Sequence, residues 1–188
     1  GYAEALTGFP ETDTSMVDAF LEQPDLDLTL WPAKASGANY GATYLFAAYL
    51  AEHFGPDFIR TLVHEPRNGT FGVTEVLRSS GSAANFDSVW AEWILGNYAA
   101  ADPDLGYQAL NGRRIRTYPA PPLPFSSVEG SVSRRWGTTA VLIRPEGDGP
   151  GHVAVDIAGD INGRVLVWTY AMRQGQGVFI TNSQANIP

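Results

Sequence analysis

Cysteine is absent from the 188 residues, so no disulfide braces the fold and no thiolate is present to ligate a metal. Many cytosolic proteins and many exported bacterial ones share that feature, and it leaves the compartment open. Histidine is nearly as scarce: His53, His64 and His152 are the full set, and no two of them stand four residues apart. An HExxH zinc grip needs two imidazoles on one helical turn, so it cannot be drawn from this chain. Basic residues are few as well, 12 Lys and Arg against 20 Asp and Glu. Phosphate backbones and anionic lipid draw their affinity from clustered cations, so neither nucleic acid nor an anionic membrane is expected as a partner. No apolar run approaches the roughly 18 residues that a membrane span needs. No charged start followed by a short apolar core marks a signal peptide, and Gly1 does not read as a natural start.

What is present is enough for packed cores, with 44% hydrophobic and 12% aromatic residues. The charge is unevenly spread. Residues 1–100 hold 13 Asp and Glu and 4 Lys and Arg, whereas residues 101–188 hold 7 and 8. The two halves therefore differ in kind. Arg113, Arg114 and Arg116 form the main basic cluster, which reads as a solvated strand edge.

In the first half the spacing is helical. Tyr2, Leu6 and Phe9 suggest a helix entered midway, interrupted by Gly8 and Pro10. Asp13 or Thr14 can cap a short helix carrying Met16, Val17, Phe20 and Leu21, closed by Pro24, before an apolar linker that runs through Leu26, Leu28, Leu30 and Trp31. The stretch NYGATYLFAAYLAEHF, residues 39–54, has no charge before Glu52, and a helix apolar on nearly every side belongs at the centre of a bundle. Gly55 and Pro56 separate it from a helix with Phe58, Ile59, Leu62 and Val63 inward. Further helices are expected over residues 70–80, with Val73, Val76 and Leu77 inward, and over residues 86–98, with an amphipathic row of Phe86, Val89, Trp90, Trp93, Ile94 and Asn97.

Composition then changes. YPAPPLPF, residues 118–125, cannot be helical, and WGTTAVLIR, HVAVDIAG, RVLVWTYAMR and GVFITN alternate β-branched residues as strands do. Asn162-Gly163 suits a tight hairpin turn between the second and third of these. The expectation is an α+β chain of two domains: an all-α helical bundle over 1–105 and a small antiparallel β-sandwich over 112–188, with the boundary between Asp102 and Pro124.

Candidate chemistry is sparse. His64-Glu65 resembles half of a zinc motif, but Pro66 breaks the helix and Asn68 stands where the second His belongs, so His64 reads as a helix-end histidine. Asp156, Asp160 and Asn162 lack the closing Glu of a calcium loop and read as turn residues. Asn68-Gly69-Thr70 fits the glycosylation pattern, yet a turn followed by a capping Thr explains the same letters. No Ser-His-Asp elbow or phosphate-cradling glycine loop is present.

The order of landmarks from Tyr40 to Trp93, through NYGATYLFAAYLAEHFGPDFIRTL, GVTEVLRSSG and FDSVWAEW, resembles the C-terminal helical part of aminopeptidase-like glutamate-zincins (gluzincins). Gly1-Tyr2-Ala3-Glu4 is similar to the end of that family's W-x-N-E-G signature, whose Glu is the third zinc ligand. The resemblance implies that both zinc-binding segments precede Gly1. On that reading the chain is the C-terminal fragment of a secreted, extracellular or cell-envelope zinc metallopeptidase, with zinc in the intact parent and none expected here. Its implied partners are the upstream half of the catalytic domain and a peptide or protein substrate. The family's catalytic Tyr falls on Tyr40, although Gly41-Ala42-Thr43 replaces the rest of the usual Y-x-K-G motif. A phenolic O–H can stabilise the oxyanion of peptide hydrolysis, while an aromatic at a buried helix start can equally be a core residue bonded to the backbone. Tyr44 and Tyr49 read as core.

Two other functions fit the letters. A non-catalytic binding or scaffold protein could dock its β-sandwich on a surface polysaccharide or a protein through Trp136 or Trp168, or a peptidase-derived scaffold could have lost catalysis. Because a gripped zinc needs three protein ligands, the isolated chain is expected to carry no stoichiometric zinc and to cleave no peptide. Elemental analysis of the purified chain checks this, and one zinc per chain would contradict it.

Overall fold

A computed structural model of the chain describes Tyr2, residues 14–28, Trp31, residues 37–100, 102, 104–117, 136–138 and 140, and the backbone of 118–119, 141–142, 163–173 and 176–187. The helices are α1 (Thr14–Glu22), α2 (Gly37–Phe54), α3 (Pro56–His64), α4 (Gly69–Ser79) and α5 (Phe86–Tyr98), followed by a 3-10 turn at Gln108–Leu110. The strands are β1 (Thr117–Pro119), β2 (Ala140–Leu142), β3 (Gly163–Arg173) and β4 (Gln176–Ile187). The chain divides into two compact units. Residues 1–118 with 129–141 form the helical one, and residues 119–128 with 142–188 form the other.

The helical unit is organised around α2. Its Ala38, Ala42, Leu45, Ala48, Tyr49 and Leu50 are buried, as is Gly41 on the side that meets α1. A methyl group at Gly41 would overlap the main chain of Met16 and Val17, so α1 crosses α2 with the backbones almost touching. From α1, Val17, Phe20 and Leu21 enter the core. Phe20 stacks on Trp93 of α5 with ring centroids 5.5 Å apart and planes 5° from parallel. Phe46 of α2 meets Phe86, Trp90 and Trp93 at 5.8, 5.6 and 5.1 Å. Three helices therefore share one aromatic hub, in which each ring pair adds about 0.5–1.5 kcal/mol beyond its buried area.

The starts of the later helices follow local chemistry. Pro56 occupies the first turn of α3, where its missing N–H costs nothing. At α5, the Asn85 side chain accepts from the Ser88 amide at 3.0 Å while the Ser88 hydroxyl accepts from the Asn85 amide at 3.1 Å, closing a reciprocal capping box.

Some expectations need correcting. The row expected inward on α3 is only partly covered: Phe58 is buried, Ile59 and Leu62 are half-buried, and Val63 is 77% exposed, since this nine-residue helix packs along a narrow stripe. Far from having one wet side, α5 also buries Ala91, Leu95 and Gly96, because neighbours press it from several directions.

The β-sandwich expected over 112–188 is overturned. Among the described residues the strands make two separate two-stranded ladders, β1 with β2 and β3 with β4. β3 and β4 are antiparallel from Gly163↔Ile187 to Arg173↔Gln176, with a register shift between Thr169 and Tyr170. Period-two alternation identifies a strand but not the number of its partners, which is why a hairpin was read as a sandwich. Residues 136–141 belong to the helical unit, where Trp136 is half-buried with its ring 4.6 Å from Phe86 and 5.7 Å from Trp90. The early helix around Leu6 and Phe9, the Asp13 cap, the HVAVDIAG strand and the Asn162 turn lie outside the described residues.

The crossing at Gly41 sets a test. Gly41→Ala should destabilise the chain by about 1–3 kcal/mol, because the overlap is with backbone that no rotamer change relieves. Gly37→Ala, where the nearest atom to the new methyl is Met16 Cγ at 3.5 Å, should be neutral or stabilising. Thermal melts of the two variants check this, and equal melting temperatures would contradict the close crossing.

Candidate functional site

On the first turn of α2, Ala38, Asn39, Gly41 and Ala42 are buried, while Tyr40 is 51% exposed. Tyr40, Thr43, Tyr44 and Ala47 recur at i, i+3, i+4 and i+7, and all four are exposed or half-buried, so among the described residues they form the least covered stripe of the helix. The Tyr40 ring is met edge-on by Trp31, with centroids 5.0 Å apart and planes at 84°. Trp31 is itself 47% exposed. Neither the buried aromatic expected on one reading nor a fully free side chain is what stands here; Tyr40 is held by a neighbouring ring and open to solvent.

Tyr2 packs against the same core, close enough to α2 for charge on Glu52 and Tyr44 to act on it. Its hydroxyl pKa is raised, first by burial and then by those two groups. Tyr44 lies one turn from Tyr40, about 6 Å along the axis.

The histidines do not converge. His53 stacks on Tyr49 at 4.0 Å, and its Nδ1 lies 3.1 Å from the Tyr49 carbonyl, to which an N–H there donates. His64 is exposed on the last turn of α3, and His152 lies outside the described residues. Among the described residues no three His, Asp or Glu side chains gather as metal ligands, so these residues do not fit a zinc ion. The calcium-like Asp156, Asp160 and Asn162 also lie outside them.

A cavity of about 570 Å³ opens at the far end of α2, lined by Glu52, Tyr107, Gln108 and Asn111 among others. Its carboxylate is already engaged: Glu52 accepts from the amides of Gln108 at 2.8 Å and Ala109 at 3.4 Å, capping the 3-10 turn. Twelve residues separate Glu52 from Tyr40, about 18 Å along the helix, so the cavity and the phenol do not share a site. Arg113, expected at a solvated strand edge, instead reaches Asp18 at 3.1 Å and donates to the Leu110 carbonyl at 3.0 Å, tying the chain after α5 back to α1.

Two features were not visible in the sequence. Trp31 meets Tyr40 from outside α2, a contact for which no periodicity gives a signal. Behind α5, the Trp93 indole N–H donates to the Tyr107 hydroxyl at 3.0 Å, and that hydroxyl donates to Asn97 Oδ1. Asn97 Nδ2 is buried with no hydrogen-bond partner among the described residues. Asn97 had counted only as one step of a helical row, yet a buried Asn in an aromatic core is itself a signal that a polar partner must be found.

Comparison of the chain with models of known protein families, with curated proteins and with solved structures finds no match.

Burial sets the behaviour of two phenols in alkali. Tyr107 is pushed well above the usual tyrosine range chiefly by desolvation, and Tyr49 is raised by desolvation and then by the Glu92 carboxylate beside it. A raised folded pKa means that the native state holds the proton more tightly than the unfolded chain does. The stabilisation is therefore complete below the ordinary tyrosine pKa and declines as pH rises through and beyond it. Spectroscopic titration of the 8 tyrosines should show two phenolates appearing only together with unfolding. Smooth ionisation of all of them in the folded chain would contradict the burial.

Proposed function

We propose that this chain is one wall of the substrate cleft of a zinc-dependent peptidase of the glutamate-zincin type, with Tyr40 as its oxyanion-stabilising phenol, and that alone it hydrolyses no peptide. One observation carries the reading. Tyr2, from the segment that resembles the end of the zinc-ligand signature, packs against the core that α2 centres, within electrostatic reach of Glu52 and Tyr44, while Tyr40 one turn from Tyr44 is presented to solvent. The segment expected after the third ligand and the helix that bears the expected catalytic phenol thus share one core.

The physical role needs little machinery. When a peptide carbonyl is attacked, negative charge develops on its oxygen, and a pre-placed O–H donor lowers that barrier because it need not reorganise. A buried, many-sided helix is a rigid mount for such a donor, and the edge-on Trp31 ring limits its rotamers. The described residues do not assemble a metal site, so on this reading the ion belongs to other segments of the parent protein.

The test is peptide hydrolysis by the full-length product of the gene that encodes the chain, with and without a chelator. Chelation should abolish the activity. Tyr40→Phe should lower kcat by about 10²–10³, the range for loss of one oxyanion donor, with KM little changed. An unchanged kcat would remove Tyr40 from the mechanism, and chelator-resistant cleavage would remove the zinc.

A further inference from the structure

We propose that Asn68 is a site of spontaneous chemical modification, at which the side-chain amide is lost through a cyclic imide and a new carboxylate appears at the start of α4. In the reaction the Gly69 main-chain nitrogen attacks Asn68 Cγ. The N–Cγ bond forms, the Cγ–Nδ2 bond breaks, and Nδ2 leaves as ammonia with the proton that the Gly69 nitrogen gives up. Solvent water then adds hydroxyl to one of the two imide carbonyl carbons, and the ring nitrogen takes the proton as that C–N bond breaks. Opening at one carbon yields an aspartyl residue and at the other an isoaspartyl residue. No oxidant, reductant or catalyst is required.

Four features of the site favour attack. Gly69 has no side chain to shield its nitrogen, and nothing lies within 4 Å of where a Cβ would stand. Its φ of +64° is a conformation that a bulkier residue would not hold comfortably. As the first residue of α4, Gly69 has an N–H without an acceptor inside the helix, so removing that proton breaks no helical bond. Asn68 is exposed, its backbone is extended (φ −97°, ψ 158°), and its side chain makes no capping bond, which leaves Cγ free to swing towards the nitrogen.

The other asparagines whose side chains are described lack this combination. Asn111 also precedes a glycine, but it is locked in the left-handed region (φ 50°, ψ 46°) with its N–H donating to the Gln108 carbonyl at 2.9 Å. Asn85 holds its side chain in the α5 capping box and precedes Phe86. Asn39 and Asn97 are buried, and each precedes a tyrosine.

The products should differ in effect. An aspartyl carboxylate would sit at the positive end of α4, where negative charge is favourable. An isoaspartyl unit lengthens the main chain by one carbon beside the Arg67 carbonyl, against which Gly72 packs without room for even a methyl group. It also adds charge next to an Arg67 already bound to Glu65 at 2.8 Å and Glu75 at 2.9 Å. The first turn of α4 should loosen.

The experiment is incubation of the purified chain in warm, mildly alkaline buffer, with ammonia release followed, peptide mapping by mass, and isoaspartate detected by enzymatic methylation. Asn68 should convert several-fold faster than Asn111 or Asn85, to a mixture of both products, and Asn68→Gln should remove the share of the ammonia that rises with conversion of that peptide. The isoaspartyl fraction should melt below the unmodified chain, whereas Asn68→Asp should melt at or above it. Conversion of Asn68 at the same rate as Asn111, or its persistence while Asn111 converts, would overturn the proposal.

Discussion

At Gly41 the main chain of α1 lies against α2 with no space for a single methyl group, and most of the helical unit is arranged by that approach. It brings Val17, Phe20 and Leu21 to the same depth as Leu45 and Tyr49, so that Phe20 can reach across and stack on Trp93. It also decides which side of α2 is left over. With α1 on one face and the core behind, the stripe through Tyr40, Thr43, Tyr44 and Ala47 is the least covered among the described residues. The exposure of Tyr40 is therefore a consequence of packing elsewhere along the helix. A phenol mounted in this way gains rigidity from contacts that it does not itself make.

The core behind α2 is rich in aromatic rings, and the buried Asn97 is arranged accordingly. Trp93 stacks on Phe20 with its face and donates from its edge to Tyr107, which passes the hydrogen bond on to Asn97. Each polar atom buried here would cost about 1–3 kcal/mol if left unmade, so the chain of donors fixes the segment after α5 in one position. That segment supplies the amides capped by Glu52 and the Arg113 that returns to Asp18. The cavity at this end of α2 is thus bordered by residues whose polar groups serve the fold, and the functional reading rests on the opposite end.

Helices were legible where periodicity was strong. The row Val73, Val76 and Leu77 on α4 and the uncharged run of α2 could be read directly, because a buried face must repeat at the helical period. Val63 was not, since the same period does not say how wide the covering neighbour is. Strand alternation in RVLVWTYAMR was legible too, whereas its pairing with a single partner in a hairpin was not, because sheet size depends on contacts distant in sequence. Of the candidate site, Tyr40 was found through resemblance and the apolar character of its helix. Trp31, nine residues earlier, had no local signal. The absence of a His pair was legible at once, and it is what directs attention to segments beyond these residues.

On the proposed reading the zinc ligands are carried by other segments of the parent protein, so the most direct test is to read the coding sequence that precedes Gly1. The account requires codons for Asn-Glu immediately before Gly1 and an HExxH segment further upstream. A coding sequence with neither feature would contradict it.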